Sequence, residues 1–96
     1  MLELTESAAA ALDSIRRNEG IPESHGTRLT GGLRPGGDLE VRLEFVESPE
    51  EADQVTEQSG TEMYIDPEVA EPLSAAVMDV SRGDEGMSFV FRPKGI

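Results

Sequence analysis

Residues 34–45 read RPGGDLEVRLEF, and their two halves decide the fold. In the second half Leu39, Val41, Leu43 and Phe45 alternate with Glu40, Arg42 and Glu44. That period of two predicts a strand over 39–46 with its apolar row buried and Arg42 and Glu44 outside. The first half, Arg34-Pro35-Gly36-Gly37-Asp38, predicts a tight loop feeding that strand, with Gly36 or Gly37 at positive φ.

The flanking segments supply partners for the strand. Upstream, LTESAAAALDSIRRNEG predicts a helix capped by Thr5 and stopped at Gly20, burying Ala8, Ala11, Leu12 and Ile15. Glu6 suits the positive end of its dipole, and Arg16 and Arg17 suit the negative end. TRLTGGL predicts a first strand, with Gly31 and Gly32 marking a bulge. Downstream, two short strands near Val55–Glu57 and Glu62–Ile65 are joined by Ser59-Gly60, a hairpin signal. DPEVAEPL predicts a short helix with Asp66 as N-cap and Pro67 at its first position, ended early by Pro72. AAVMDVS and MSFVFRP predict two last strands around an RGDEG turn. There are no repeats and no linker. The expected fold is one small α+β domain over 1–96, with mixed or antiparallel sheets and two helices.

Composition bounds what such a domain does. The 96 residues carry 20 acidic and 8 basic side chains, a net charge of -12. Nucleic acid and anionic membrane surfaces repel such a chain, so neither is an expected partner. Seven of the basic residues are Arg and one is Lys94. That balance suits a salt-rich cytoplasm, but a GC-rich coding bias with a solvated surface is the preferred reading, since charge alone says little about fold or partner. Aromatic residues are 4% of the chain, a thin core that dimerisation would supplement. There is no cysteine, hence no disulfide, thiolate zinc site, cysteine nucleophile or cysteine-ligated iron–sulfur cluster from these residues. No apolar run is long enough to span a bilayer and none resembles a signal-peptide core, so the expected compartment is the cytoplasm.

Other candidate chemistry is sparse. Glu19, Glu23 and His25 are close in sequence, as are Glu50, Glu51 and Asp53, but neither group has EF-hand or HExxH spacing. Both read as solvated loops, with His25 exposed. GGLRPGGD lacks the Gly-Lys-Ser/Thr ending of a phosphate loop and feeds a strand, so it reads as a turn. Ser7, Ser14, Ser24 and His25 form no GxSxG wording. Met63, Met78 and Met87 lie in or beside apolar strands and read as core. No catalytic residue, metal ligand or cofactor is expected, and the chain reads as a non-enzyme.

Taken together, LTESAAAAL, the TRL strand with its Gly-rich loop and LEFVESP, YIDPEVAEPLSAAVMDV and GMSFVFRP resemble the A-type iron–sulfur carrier (HesB/IscA-like) family. Asp66, Leu73 and Asp79 match the family's pattern of an Asp, a Leu and a later Asp around its short helix. The resemblance implies a compact β-rich fold with two helices, and an activity of holding or passing iron or a cluster through three cysteines. One lies in the loop before the central strand, at the place of Gly36. The other two form a Cys-Gly-Cys beyond the Pro after the aromatic strand, and this sequence ends three residues past Pro93. Gly36 has no side chain, and cluster iron takes thiolates. The resemblance therefore implies a degenerate member whose loop Arg34, Pro35, Gly36, Gly37 and Asp38 is vestigial. It would act as a binding or regulatory module, with iron–sulfur assembly proteins or a second copy as partners. The alternative is a weak carrier using carboxylates or a partner's cysteines. An unrelated acidic hydrolase is the third.

Overall fold

A computed structural model describes residues 1–94. Seven strands and two helices follow in the order β1 (Glu3–Leu4), α1 (Glu6–Asn18), β2 (Gly26–Leu33), β3 (Leu39–Val46), β4 (Gln54–Gln58), β5 (Thr61–Ile65), α2 (Pro67–Leu73), β6 (Ala76–Gly83) and β7 (Gly86–Pro93). The strands form two sheets, one ordered β1-β6-β7 and one β3-β2-β5-β4. β1 on β6 and β2 on β5 are parallel pairs, and the other pairs are antiparallel. The architecture is the expected α+β domain with mixed sheets.

Local chemistry explains most elements. The Thr5 side chain accepts from the Ala8 amide and opens α1. Ala8, Ala9, Ala11 and Leu12 are buried, so α1 packs its small-residue face on the sheets, while Ile15 is only half-buried. Ser59 and Gly60 both take positive φ in the two-residue β4–β5 connection, the twist that a tight hairpin needs. The core is Leu2, Leu4, Leu12, Leu29, Met63, Ile65, Val69, Leu73 and Met78 with the α1 alanines.

Several expectations are corrected. β1, just ahead of the predicted Thr5 cap, is a strand that the sequence reading did not assign. Two residues carry no period, and they are extended because they lie parallel on β6 at Val77 and Met78. The Gln58 amide then holds the Leu2 carbonyl and the Leu4 amide, at 2.8 and 2.7 Å, tying the two sheets together. β2 has no bulge, for each residue from Gly26 to Leu33 faces one residue of β3. Gly31 takes φ +137°, and a Cβ there would lie 1.9 Å from the Glu40 carbonyl oxygen on β3. It is a glycine because the neighbouring backbone occupies that space. Pro72 lies inside α2, which runs on to Leu73 and closes with a bond from the Ser74 amide to the Glu71 carbonyl. At the last turn a proline forfeits one ladder bond without ending the helix.

β3 has the predicted span and alternation, but Leu39, Val41, Leu43 and Phe45 are half-buried, not buried. The reason is position. β3 is an edge strand, so half of its apolar row has no neighbour to cover it.

Candidate functional site

The loop 34–38 joins β2 to β3, and the Leu33–Leu39 pair closes it. Pro35 fixes one φ, and Gly36 and Gly37 follow at +102° and +94°. The Gly37 amide donates to the Arg34 carbonyl at 3.0 Å and the Arg34 amide to the Asp38 carbonyl at 2.7 Å. Pro followed by a glycine at positive φ is the signature of a type II turn. A Cβ at Gly36 or Gly37 would meet nothing within 4 Å. Their requirement is therefore conformational, unlike that of Gly31. All five loop residues are exposed.

The loop's surroundings are set by α2. A Cβ on Gly32, just before the loop, would lie 3.1 Å from Glu68 Oε2 in the first turn of α2. At the other end of α2, the Lys94 amide donates to the Ala75 carbonyl at 2.9 Å, and Pro93 pairs with Ala76. The β2–β3 hairpin and the end of β7 thus border opposite ends of one seven-residue helix, about 10 Å long at 1.5 Å per residue. These are the two segments on which the resemblance places ligands.

The donors there do not suit a cluster. The loop offers Arg34 and Asp38 side chains but no thiolate, and the 96 residues hold no cysteine. Iron in a cluster is held by soft sulfur ligands, which carboxylates and backbone amides do not replace. Among the described residues, no three His, Asp or Glu side chains converge as a metal-binding group.

The ionisable residues that do converge serve the fold. Arg28, on β2, is a partly buried hub. Its Nε and Nη2 meet both oxygens of Asp53 at 2.8 and 2.9 Å, and Nη2 reaches Asp66 at 3.2 Å. The Asp53 side chain is 0% exposed. Its bond to Arg28 holds its carboxyl below the usual range, and the Glu50 amide adds to this. Asp53 in turn keeps Arg28 protonated beyond the ordinary guanidinium range. The solvated-loop expectation is therefore wrong for Asp53, which folds back from the acidic loop to pair with an Arg 25 residues away. Its sequence context gave no sign of that partner.

The residues that matched the family pattern have visible structural roles. Asp66 caps α2 through the Glu68 amide at 2.8 Å and also meets Arg28. Leu73 is 2% exposed. Asp79 accepts from the Val80 amide and the Thr5 hydroxyl, both at 2.8 Å, which hold its carboxyl below the usual range. Arg92 stands 3.3 Å away. Asp79 thus ties the start of α1 to β6.

His25 is half-buried, not exposed, and its Nδ1 is buried without a hydrogen-bond partner. It lines a cleft of about 290 Å³ with Asp13, Arg16, Glu57, Thr61 and Glu62. Asp13 is committed to Arg16 and Arg17, which keep its carboxyl below the usual range. Glu62 accepts from the Tyr64 hydroxyl at 2.9 Å. Met63 and Met78 are core residues at 1% exposure, and Met87 is half-buried.

Comparisons with known proteins agree with this architecture. The iron–sulfur cluster insertion protein ErpA of Stenotrophomonas maltophilia (strain K279a) is 33% identical over 92 residues, covering 95% of this chain and 69% of that protein. A crystal structure of IscA with its 2Fe–2S cluster superposes with a TM-score of 0.84 at 25% identity, covering 98% of this chain and 86% of that one. Escherichia coli SufA, at 21% identity and a TM-score of 0.76, shares the fold over 99% of this chain and 82% of its own. No family model matches the chain. The chain belongs to the A-type iron–sulfur carrier (HesB/IscA-like) family. It is related to iron–sulfur cluster assembly, and its 96 residues are without cysteine.

Proposed function

We propose that this domain is a non-catalytic member of the carrier family that does not ligate a cluster with its own residues. It acts as a binding or regulatory module in the cytoplasm, in contact with iron–sulfur assembly proteins. The observation that carries this reading is Gly36. The loop joins β2 to β3, and its tip presents two glycines held for their backbone conformation and no side-chain donor. The relation to a cluster insertion protein supports the pathway, and the donor set supports the loss of ligation. The Arg28–Asp66 contact, which joins β2 to the cap of α2, and the Asp79–Thr5 contact, which joins β6 to the start of α1, support a fold kept in order without a metal centre.

A gain-of-function variant tests the reading. In the 96-residue chain, Gly36→Cys alone is expected to leave reconstituted protein colourless, because one thiolate does not hold a cluster. Gly36→Cys with Cys-Gly-Cys appended after Ile96 is expected to gain thiolate-to-iron absorbance. A folded double variant that stays colourless contradicts the placement of Gly36 at a former ligand position.

A further inference from the structure

Five apolar side chains form one row at the margin of the sheet β3-β2-β5-β4. Leu39, Val41, Leu43 and Phe45 share one face of β3 and are half-buried, because β3 ends the sheet. Leu33 pairs with Leu39 and so shares that face. It is 69% exposed, more than any other large apolar residue among the described ones, and takes no part in the core. From Leu39 to Phe45 the row is about 20 Å long at the usual strand rise. It starts at the loop 34–38 and ends in the His25 cleft, which Phe45 and Thr27 help to line. Such a row is a sheet face short of its covering layer. We infer that it docks an amphipathic helix of a partner protein, one whose apolar stripe is flanked by Lys and Arg.

The charges of the partner follow from the two ends of the row. At the loop end Asp38, Glu68 and Glu71 are exposed, and Glu68 Oε2 lies 3.1 Å from where a Cβ on Gly32 would be, one residue before Leu33. Arg34 in the loop leaves that end net negative. At the Phe45 end the cleft presents Glu23, Glu57 and Glu62. Glu57 and Glu62 stand directly opposite each other in the β4–β5 pair, where like charges repel. Arg16, in the same cleft, is committed to Asp13 and to the Ile21 carbonyl. A second copy would bring the same carboxylates and a net charge of -12, and nucleic acid or anionic lipid would bring phosphates, so the complementary occupant is cationic. Its form follows from the packing. Helices already cover the neighbouring core residues Leu29 and Ile65, with Leu12 of α1 and Val69 and Leu73 of α2 in the same cluster. A further helix of about 14 residues is about 21 Å long, which matches the row and leaves its basic residues over the acidic ends. The inference rests on the reading of this domain as a binding module and names the chemistry of its partner.

The probe is the fluorescein-labelled, amidated helical peptide LKKLLKLLKKLLKL, titrated with the 96-residue chain in about 150 mM potassium chloride. Fluorescence anisotropy is expected to give a Kd between about 1 and about 100 μM. Leu33→Asp is expected to weaken binding about tenfold, and Val55→Asp, at an exposed apolar residue of β4, by less than about twofold. The two variants add the same charge, so general attraction of a cationic peptide to a chain of net charge -12 affects both alike. Both positions are exposed, and circular dichroism confirms that both variants fold. Amide shift mapping of the wild type is expected to centre on the row from Leu33 to Phe45. No binding below about 1 mM overturns the inference. So does equal weakening by the two variants, or a shift map that is diffuse or centred on β4 or β7. Shifts of the same row on concentrating the protein without peptide would assign it to a second copy and also overturn the inference. None of these results alters the colour of the reconstituted chain, so failure here is distinct from failure of the claim that the domain ligates no cluster.

Discussion

Gly31→Ala is the sharpest test of the packing. Two costs arise together. At φ +137° an L side chain is strained, and the new Cβ would lie 1.9 Å from the Glu40 carbonyl oxygen, where Cβ atoms keep at least 3.0 Å. The obstructing atom is backbone of a paired strand, so relief means moving β3 by about 1 Å and disturbing its ladder to β2. Strain of about 1–3 kcal/mol and overpacking of about 1–3 kcal/mol combine to about 4 kcal/mol. For a domain of this size that lowers Tm by about 15–30 °C. Gly36→Ala is the control. It also has positive φ, but its Cβ meets nothing, so only the conformational cost of about 1–2 kcal/mol applies. Urea unfolding followed by circular dichroism measures both. A Gly31→Ala variant within about 1 kcal/mol of wild type, or a Gly36→Ala variant equally damaged, refutes the reasoning.

Three further outcomes follow from the ion pairs and the charge. Asp53→Ala leaves Arg28 in a partly buried site with Asp66 and the more distant Glu44, at 3.9 Å, as its remaining partners, and is expected to cost about 3 kcal/mol or more in urea unfolding; a loss below about 1 kcal/mol would show the pair to be idle. Asp53 and Asp79 are held below the usual carboxylate range in the fold, so the stability they contribute is complete above the unfolded pKa near 3.9 and is lost as pH falls through their lower folded values. Asp53→Asn should therefore flatten the acid limb of a stability-versus-pH profile, and an unchanged limb would contradict this. Raising potassium chloride from about 20 mM to about 1 M should raise Tm by screening a net charge of -12, which a flat or falling Tm would contradict.

The parts of this fold that were legible in sequence are those whose causes are local. The Leu39–Phe45 alternation, the Thr5 cap, the Asp66-Pro67 helix start and the Ser59-Gly60 turn each carry their signal within a few residues, and each is present. What sequence could not supply was set by distant partners. β1 exists because β6 lies beside it, and Asp53 is buried because it reaches Arg28, 25 residues away on β2. Gly31 looked like a bulge because its real reason, the Glu40 carbonyl, belongs to the neighbouring strand. The half-burial of β3 came from its place at the sheet edge, which a period of two does not encode. The loop 34–38 was legible as a turn with positive φ at its glycines, because Pro-Gly-Gly specifies that backbone by itself.

The central claim is that this carrier-like domain does not ligate a cluster. Anaerobic reconstitution of the unmodified 96-residue chain with iron and sulfide, followed by desalting, iron analysis and absorbance near 420 nm, tests it directly, that being the region of about 400–450 nm where thiolate-to-iron charge transfer falls. The account predicts a colourless protein holding less than about 0.1 iron per chain, because no soft ligand is present. A brown protein that retains stoichiometric iron and sulfide would contradict it.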